Sequence, residues 1–167
     1  DFSNVSITSE GMKCEDAVNI INSTGVVESI DIKNSMFDGL DIDYSKITIK
    51  NLNVKNSDND CGDFSSGSYV IKNAILSNCS DKGLSIGENS SIVGSDVDIK
   101  DSFIGIAVKD SSIVTIEIFN SSEVEYCATV YRKKQEFAGS ILNIENFNCD
   151  GSNQSFVQER SMFNARN

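Results

Sequence analysis

Asp38-Gly39-Leu40-Asp41-Ile42-Asp43 is one copy of a motif that returns along the chain. Stepping forward 22 residues at a time meets Asp60-Cys61-Gly62-Asp63-Phe64-Ser65, Lys82-Gly83-Leu84-Ser85-Ile86-Gly87, Ile104-Gly105-Ile106-Ala107-Val108-Lys109 and Tyr126-Cys127-Ala128-Thr129-Val130-Tyr131. One step back lies Asp16-Ala17-Val18-Asn19-Ile20. The small residues Ala17, Gly39, Cys61, Gly83, Gly105, Cys127 and Cys149 share that spacing. A fixed period of this length is the signature of a solenoid, in which each repeat buries its apolar face against its neighbours.

Working outward, a second set alternates apolar and polar residues: Ile30-Asp31-Ile32, Leu52-Asn53-Val54, Val97-Asp98-Ile99, Ile116-Glu117-Ile118 and Leu142-Asn143-Ile144. A period of two marks strands with one buried face. Asn34, Asn56, Asp101, Asn120 and Asn146 each follow two residues later, and Asn78 stands in that place after Leu76. Asn tolerates turn conformations, and stacked Asn side chains can bond into a ladder. Ile47 and Ile49, Val70 and Ile71, Ile92 and Val93, and Ile113 and Val114 supply a third strand per repeat. Helices would need ten or more residues at a period of 3.6, and none is found. The sequence therefore predicts an all-β fold, a right-handed parallel β-helix of about seven coils over residues 1–152. The period lapses after Cys149, and residues 153–167, with Phe156, Val157, Met162 and Phe163, are expected to fold back as a cap or to form a tail.

The 167 residues suit one domain, and 39% hydrophobic residues can form a core. No stretch is long and apolar enough to span a membrane. The chain begins at Asp1 without a signal peptide, as a mature or excised piece would. The net charge of −11 argues against nucleic acid as the partner, since phosphate binding needs clustered Lys and Arg. His is absent, which removes histidine bases and most zinc and copper sites. Five Cys without a CxxC pair leave at least one thiol free, and are expected as small buried core residues.

The repeat resembles the pectin-lyase-like group of parallel β-helix proteins over nearly the whole chain. Within that group Asp38-Gly39-Leu40-Asp41, Asn59-Asp60-Cys61, Asp81-Lys82-Gly83-Leu84-Ser85-Ile86-Gly87 and Ala107-Val108-Lys109 are similar to the successive motifs of polygalacturonases. Asn59 stands where those enzymes carry the general-acid Asp, Lys82 where they carry His, and Ala107 where they carry Arg. An amide cannot donate the proton, so the likeness is one of coil geometry and does not extend to pectin hydrolysis. Ser85-Ile86-Gly87-Glu88 and Tyr131-Arg132-Lys133-Lys134-Gln135-Glu136-Phe137 also resemble strings in β-helix domains of bacterial surface and exported proteins. That resemblance implies an extracellular, cell-surface or periplasmic location.

Strand alternation turns Leu40, Phe64, Leu84, Ile86, Ile106, Val108 and Val130 inward. The outward columns are then Asn19, Asp41, Asp63, Ser85, Ala107 and Thr129, and beside them Ile21, Asp43, Ser65, Gly87, Lys109 and Tyr131. This stripe runs from acidic to basic. With Glu88, Asp110, Arg132, Lys134 and Glu136 at its margin, it is the expected binding face for a polysaccharide or other extended glycan. A cross-coil Glu88–Lys109 ion pair is the plain structural alternative. In a lyase, Lys109 would be the base and Lys133 or Arg132 would neutralise a uronate carboxylate; the base would need its pKa lowered by burial or by neighbouring cations. In a hydrolase, two of Asp41, Asp43, Asp60 and Asp63 would act as acid and base, since carboxyls on adjacent coils lie roughly 5 Å apart. Asp41, Asp43, Asp63 and Glu88 are the hard oxygen ligands a Ca²⁺ ion would use. The competing expectation is a non-enzymatic binding or spacer module, joined to further domains of the polypeptide or to a second copy.

Overall fold

The computed structural model describes residues 2–8 and 15–166. These residues hold no helix; eleven strands form one parallel sheet wound into a β-helix of about seven turns. In chain order the strands are β1 (Phe2–Thr8), β2 (Val18–Ile21), β3 (Thr24–Ser35), β4 (Leu40–Asp43), β5 (Lys46–Ser57), β6 (Gly62–Ser65), β7 (Ser68–Gly87), β8 (Ser91–Lys109), β9 (Ile113–Tyr131), β10 (Ile141–Val157) and β11 (Met162–Ala165). The motif that opens the sequence is β4. It pairs with β2 below and β6 above, through Val18↔Leu40↔Gly62 and Ile20↔Ile42↔Phe64. From β7 onward the strands run unbroken around a corner, so one strand contributes two sides of a coil.

The inward residues behave as the alternation requires. Leu40, Phe64, Leu84, Ile86, Ile106, Val108 and Val130 are all buried in one continuous core. Burying each such side chain is worth roughly 1.5–3 kcal/mol. Stacking also explains a small residue in the column: a Cβ on Gly83 would fall 2.7 Å from the Gly105 carbonyl of the next coil.

Two polar ladders hold the corners. In the first, Asn56 Nδ2 donates to Asn34 Oδ1 and Asn78 Nδ2 to Asn56 Oδ1, both at 2.8 Å. These residues lie at φ of 55–65°, in the left-handed region that Asn tolerates. In the second, the backbone N–H of Ser23 donates to Ser45 Oγ, that of Gly67 to Ser90 Oγ, that of Ser90 to Ser112 Oγ and that of Ser112 to Ser140 Oγ. Gly67 interrupts the series, and the Tyr69 hydroxyl takes over. It reaches the carbonyls of Ser65 and Ile42, as Ser90 Oγ reaches those of Gly87 and Phe64.

Later coils depart from the sequence reading. Ile116 pairs with Gly94 and Ile144 rather than with Val97, and Phe119 takes the place in register with Val97 and Phe147. Glu123 (φ 56°) therefore follows Asp101 at the left-handed corner, while Asn120 stacks with Asn148 on the strand. For Ile116 the cause is that the triplet in register with Val97-Asp98-Ile99 is Phe119-Asn120-Ser121, with a serine at its second inward place; for Leu142 it is uneven coil length. Ser112 and Ser140 are 28 residues apart, where Ser90 and Ser112 are 22 apart. The extra residues fall between Tyr131 and Ile141.

Cys149 is likewise not in the small-residue column. It pairs in register with Ser121, and its sulfur is bonded to Cys127. A second disulfide joins Cys61 to Cys79. The four described cysteines are thus cross-links rather than free core thiols; Cys14 lies outside the described residues. The tail differs too. Residues 153–157 continue β10 in register with Tyr126 to Val130, and β11 adds a further rung on Ile141–Ile144. Phe163 packs on Phe147, but Phe156, Val157 and Met162 stay exposed, so this segment extends the stack and does not fold back over it.

Candidate functional site

The outward columns of β4 and β6 and of the ends of β7, β8 and β9 are in the predicted register: Asn19↔Asp41↔Asp63↔Ser85↔Ala107↔Thr129. Their exposure is not uniform. Asn19 is exposed and Asp41, Asp43 and Asp63 are half-buried, whereas Ser85, Ala107 and Thr129 are closed to solvent. At Ser85 the cover is Lys109. Its chain lies over Gly87, and its Nζ donates to Ser85 Oγ at 2.7 Å. The lysine is 7% exposed. Burial pulls its pKa below the ordinary lysine value, against the opposing pull of Asp63.

Lys109 therefore does not pair with Glu88, as the plain alternative supposed. Glu88 bonds Lys134 instead, two coils further along. That contact belongs to the long turn after β9. Asp110, itself buried, accepts the backbone N–H groups of Lys133 and Lys134 at 2.6 and 2.8 Å, and Ser111 Oγ accepts that of Ala138. The carboxylate fastens a turn rather than facing a ligand. Tyr131 is half-buried, and burial raises its pKa. Arg132, Lys133 and Glu136 are exposed on the turn.

Asp60 is also committed to structure. Asp16, Asp38 and Asp60 form a staircase in which each Oδ1 accepts the backbone N–H one coil on, at Asp38, Asp60 and Lys82 respectively. At the top the Lys82 ammonium turns back onto Asp60 and Asp81. Burial raises Asp60 to about 6, with Lys82 pulling the other way. Burial would lower Lys82, but Asp60 and Asp81 outweigh it and hold the ammonium charged.

The remaining carboxylates crowd one another. Asn19 donates to Asp41 Oδ2 at 2.7 Å. Burial, then Asp43 and Asp63, push Asp41 up to about 7. Burial and Asp63 raise Asp43 too. Asp63 Oδ1 and Thr129 Oγ1 are buried without a hydrogen-bond partner. Among the described residues no three acidic, His or Cys side chains converge to hold a metal ion, so the geometry adds no support to Ca²⁺ at Asp41, Asp43, Asp63 and Glu88.

Two open clefts, which the sequence did not signal, lie on the adjoining corner. One of about 550 Å³ runs between Tyr44 and Phe137. The other, also about 550 Å³, lies between Phe137 and Arg160. Phe137 enters the first only because the long turn folds back along the stack. Comparison of the chain with family models, with curated proteins and with solved structures finds no match.

Proposed function

We propose that the chain is a non-catalytic, glycan-binding β-helix module of an exported or cell-surface protein. One observation carries the reading. The face centred on β4 divides into a closed half, whose Lys109, Ser85 and Asp110 are bonded to the protein itself, and an open half of Asn19, Asp41, Asp43 and Asp63. Among the described residues none of those three carboxylates has a cation within ion-pair distance. Carboxylates and amides set roughly 4.8 Å apart along a stack are suited to rows of sugar hydroxyls, which donate to one and bond either end of the other. The crowded negative charge favours a neutral glycan over a polyuronate. Two disulfides support folding in an oxidising compartment. Further domains of the same polypeptide, or a second copy, would be its partners.

A second reading is a polysaccharide lyase or glycoside hydrolase acting on an acidic polysaccharide. The lowered pKa of Lys109 favours it, since a lysine base must be neutral. Its closure from solvent and its bond to Ser85 count against it. Retention of the protein in gels containing dissolved glycans tests the binding reading. Absence of retardation by any neutral or acidic glycan would refute it.

A further inference from the structure

We infer that the cleft between Tyr44 and Phe137 is a subsite for a neutral glycan, with the two rings as its stacking platforms; this rests on the glycan-binding reading and places the grip at the corner beside the β4 face.

The first observation is Tyr44 itself. The equivalent corner of the other coils holds Asn22, Ser66, Glu88 and Asp110, all with φ near 50–57°. Asn and Asp visit that left-handed region readily, and a bulky aromatic residue does not. Tyr44 nonetheless sits there at φ 48° and is 63% exposed. It buries little, and its hydroxyl has no hydrogen-bond partner among the described residues. A costly backbone conformation without a packing return is the kind of outlier that marks a functional position.

The second observation is that Phe137 is held opposite it. Phe137 comes from the long turn, which is tied down at Asp110, at Ser111 and through the Lys134–Glu88 ion pair. Between the two rings the cleft is lined by Thr24, Ser66, Ser68 and Asn89. Its volume falls in the range of small-ligand sites. Aromatic faces with hydroxyl and amide groups between them match a sugar, which has an apolar ring face and a polar rim. The cleft's Glu88 is already bonded to Lys134, and the other charged group of the lining, Lys46, can donate to a sugar hydroxyl.

A peptide is a poorer occupant. The corner backbone N–H groups of Ser23, Lys46, Gly67 and Ser68 are consumed by the serine ladder and by carbonyls of neighbouring coils. None of these donors remains for strand addition, which peptide recognition at a sheet relies on. Phe137 also borders the second cleft, with Arg132 and Arg160, so the groove continues along the stack. An extended chain lying parallel to the axis would meet Tyr44 first and Phe137 next.

The test is affinity electrophoresis of the whole chain in gels containing soluble β-glucan, galactomannan or xylan. Wild type, Tyr44→Ala, Tyr44→Phe, Phe137→Ala and Asp41→Asn/Asp43→Asn are run side by side. The expected result is retardation of wild type by at least one glycan, a loss of about tenfold or more in affinity for Tyr44→Ala and Phe137→Ala, and near wild-type binding by Tyr44→Phe, which keeps the ring. Thermal unfolding should show both alanine variants folded, as Tyr44 is exposed and Phe137 lies on a surface turn. Unchanged retardation of both alanine variants, with loss in the aspartate variant, overturns the subsite and leaves the open β4 face as the glycan's grip. No retardation of wild type overturns the subsite and the binding reading together.

Discussion

The Lys109 ammonium donates to Ser85 Oγ at 2.7 Å, between adjacent coils of the stack and largely shielded from solvent. A buried ammonium with a hydroxyl as acceptor is unfavourably placed. A lysine whose folded-state pKa is lowered weakens the fold at neutral pH, and this penalty fades as pH rises from the folded pKa toward the unfolded one, because the unfolded chain then holds more protons. Lys109→Met keeps the chain length and removes the charge. It should leave stability unchanged or raise it by about 1 kcal/mol at pH 7, measured by urea unfolding.

The acidic half of the same face has the opposite pH signature. Asp41 is raised to about 7 and Asp60 to about 6, both above their unfolded value near 3.8. Between pH 4 and 7 the folded chain therefore holds more protons than the unfolded chain, and these groups make stability fall as pH rises. The melting temperature should be higher at pH 5 than at pH 8. Asp41→Asn should raise stability at pH 8 by about 1 kcal/mol, allowing for solvent screening at a half-exposed site, and should flatten the slope. A melting temperature that rises from pH 5 to pH 8 and does not respond to Asp41→Asn would contradict the crowding described here.

The Asn ladder separates side-chain bonding from backbone preference. Asn56 accepts from Asn78, donates to Asn34 and holds φ at 65°. Asn56→Gly loses the two bonds but fits the backbone, and should cost about 1–2 kcal/mol. Asn56→Ala loses the same bonds and adds a Cβ in the left-handed region, for about 1 kcal/mol more. Equal losses in the two variants would show that the left-handed geometry carries no cost.

Tyr69 stands in for a serine. Its hydroxyl lies 2.7 Å from the Ser65 carbonyl and 3.0 Å from that of Ile42. Tyr69→Phe should cost about 1–2 kcal/mol. Gly67→Ala should cost more, since its Cβ would fall onto both the Tyr69 hydroxyl and the Ser45 carbonyl. Chemical denaturation of the two variants gives the comparison.

The disulfides close loops of similar size, Cys61–Cys79 at a separation of 18 and Cys127–Cys149 at 22. Replacing either pair by serine should cost about 3 kcal/mol. Mass spectrometry of the alkylated, unreduced protein should find those four thiols blocked.

How far the sequence could be read follows from these residues. β4 and its equivalents were legible because six coils keep an even spacing and alternate, so Leu40, Phe64 and Ile86 fall inside as expected. The register of Ile116 was not legible, because Phe119-Asn120-Ser121, in register with Val97-Asp98-Ile99, carries a serine at its second inward place; that of Leu142 and Cys149 was not, because the long turn between Tyr131 and Ile141 breaks the count and nothing local announces it. The pairing of Cys127 with Cys149 was hidden for the same reason, and an odd number of cysteines leaves pairing open. At the site, alternation gave the outward columns but not their cover: Ser85 faces outward and is closed all the same, because Lys109 lies back across Gly87. The Tyr44–Phe137 cleft joins residues almost a hundred positions apart, which no spacing rule connects.

The most direct test of a binding module without catalysis is to incubate the chain with neutral and uronate polysaccharides while following retention, new reducing ends and absorbance near 235 nm together. The account predicts retention on a neutral glycan with no reducing ends and no rise in absorbance. A rise in absorbance on a uronate polymer that vanishes in Lys109→Ala would contradict it and make Lys109 the base of a lyase.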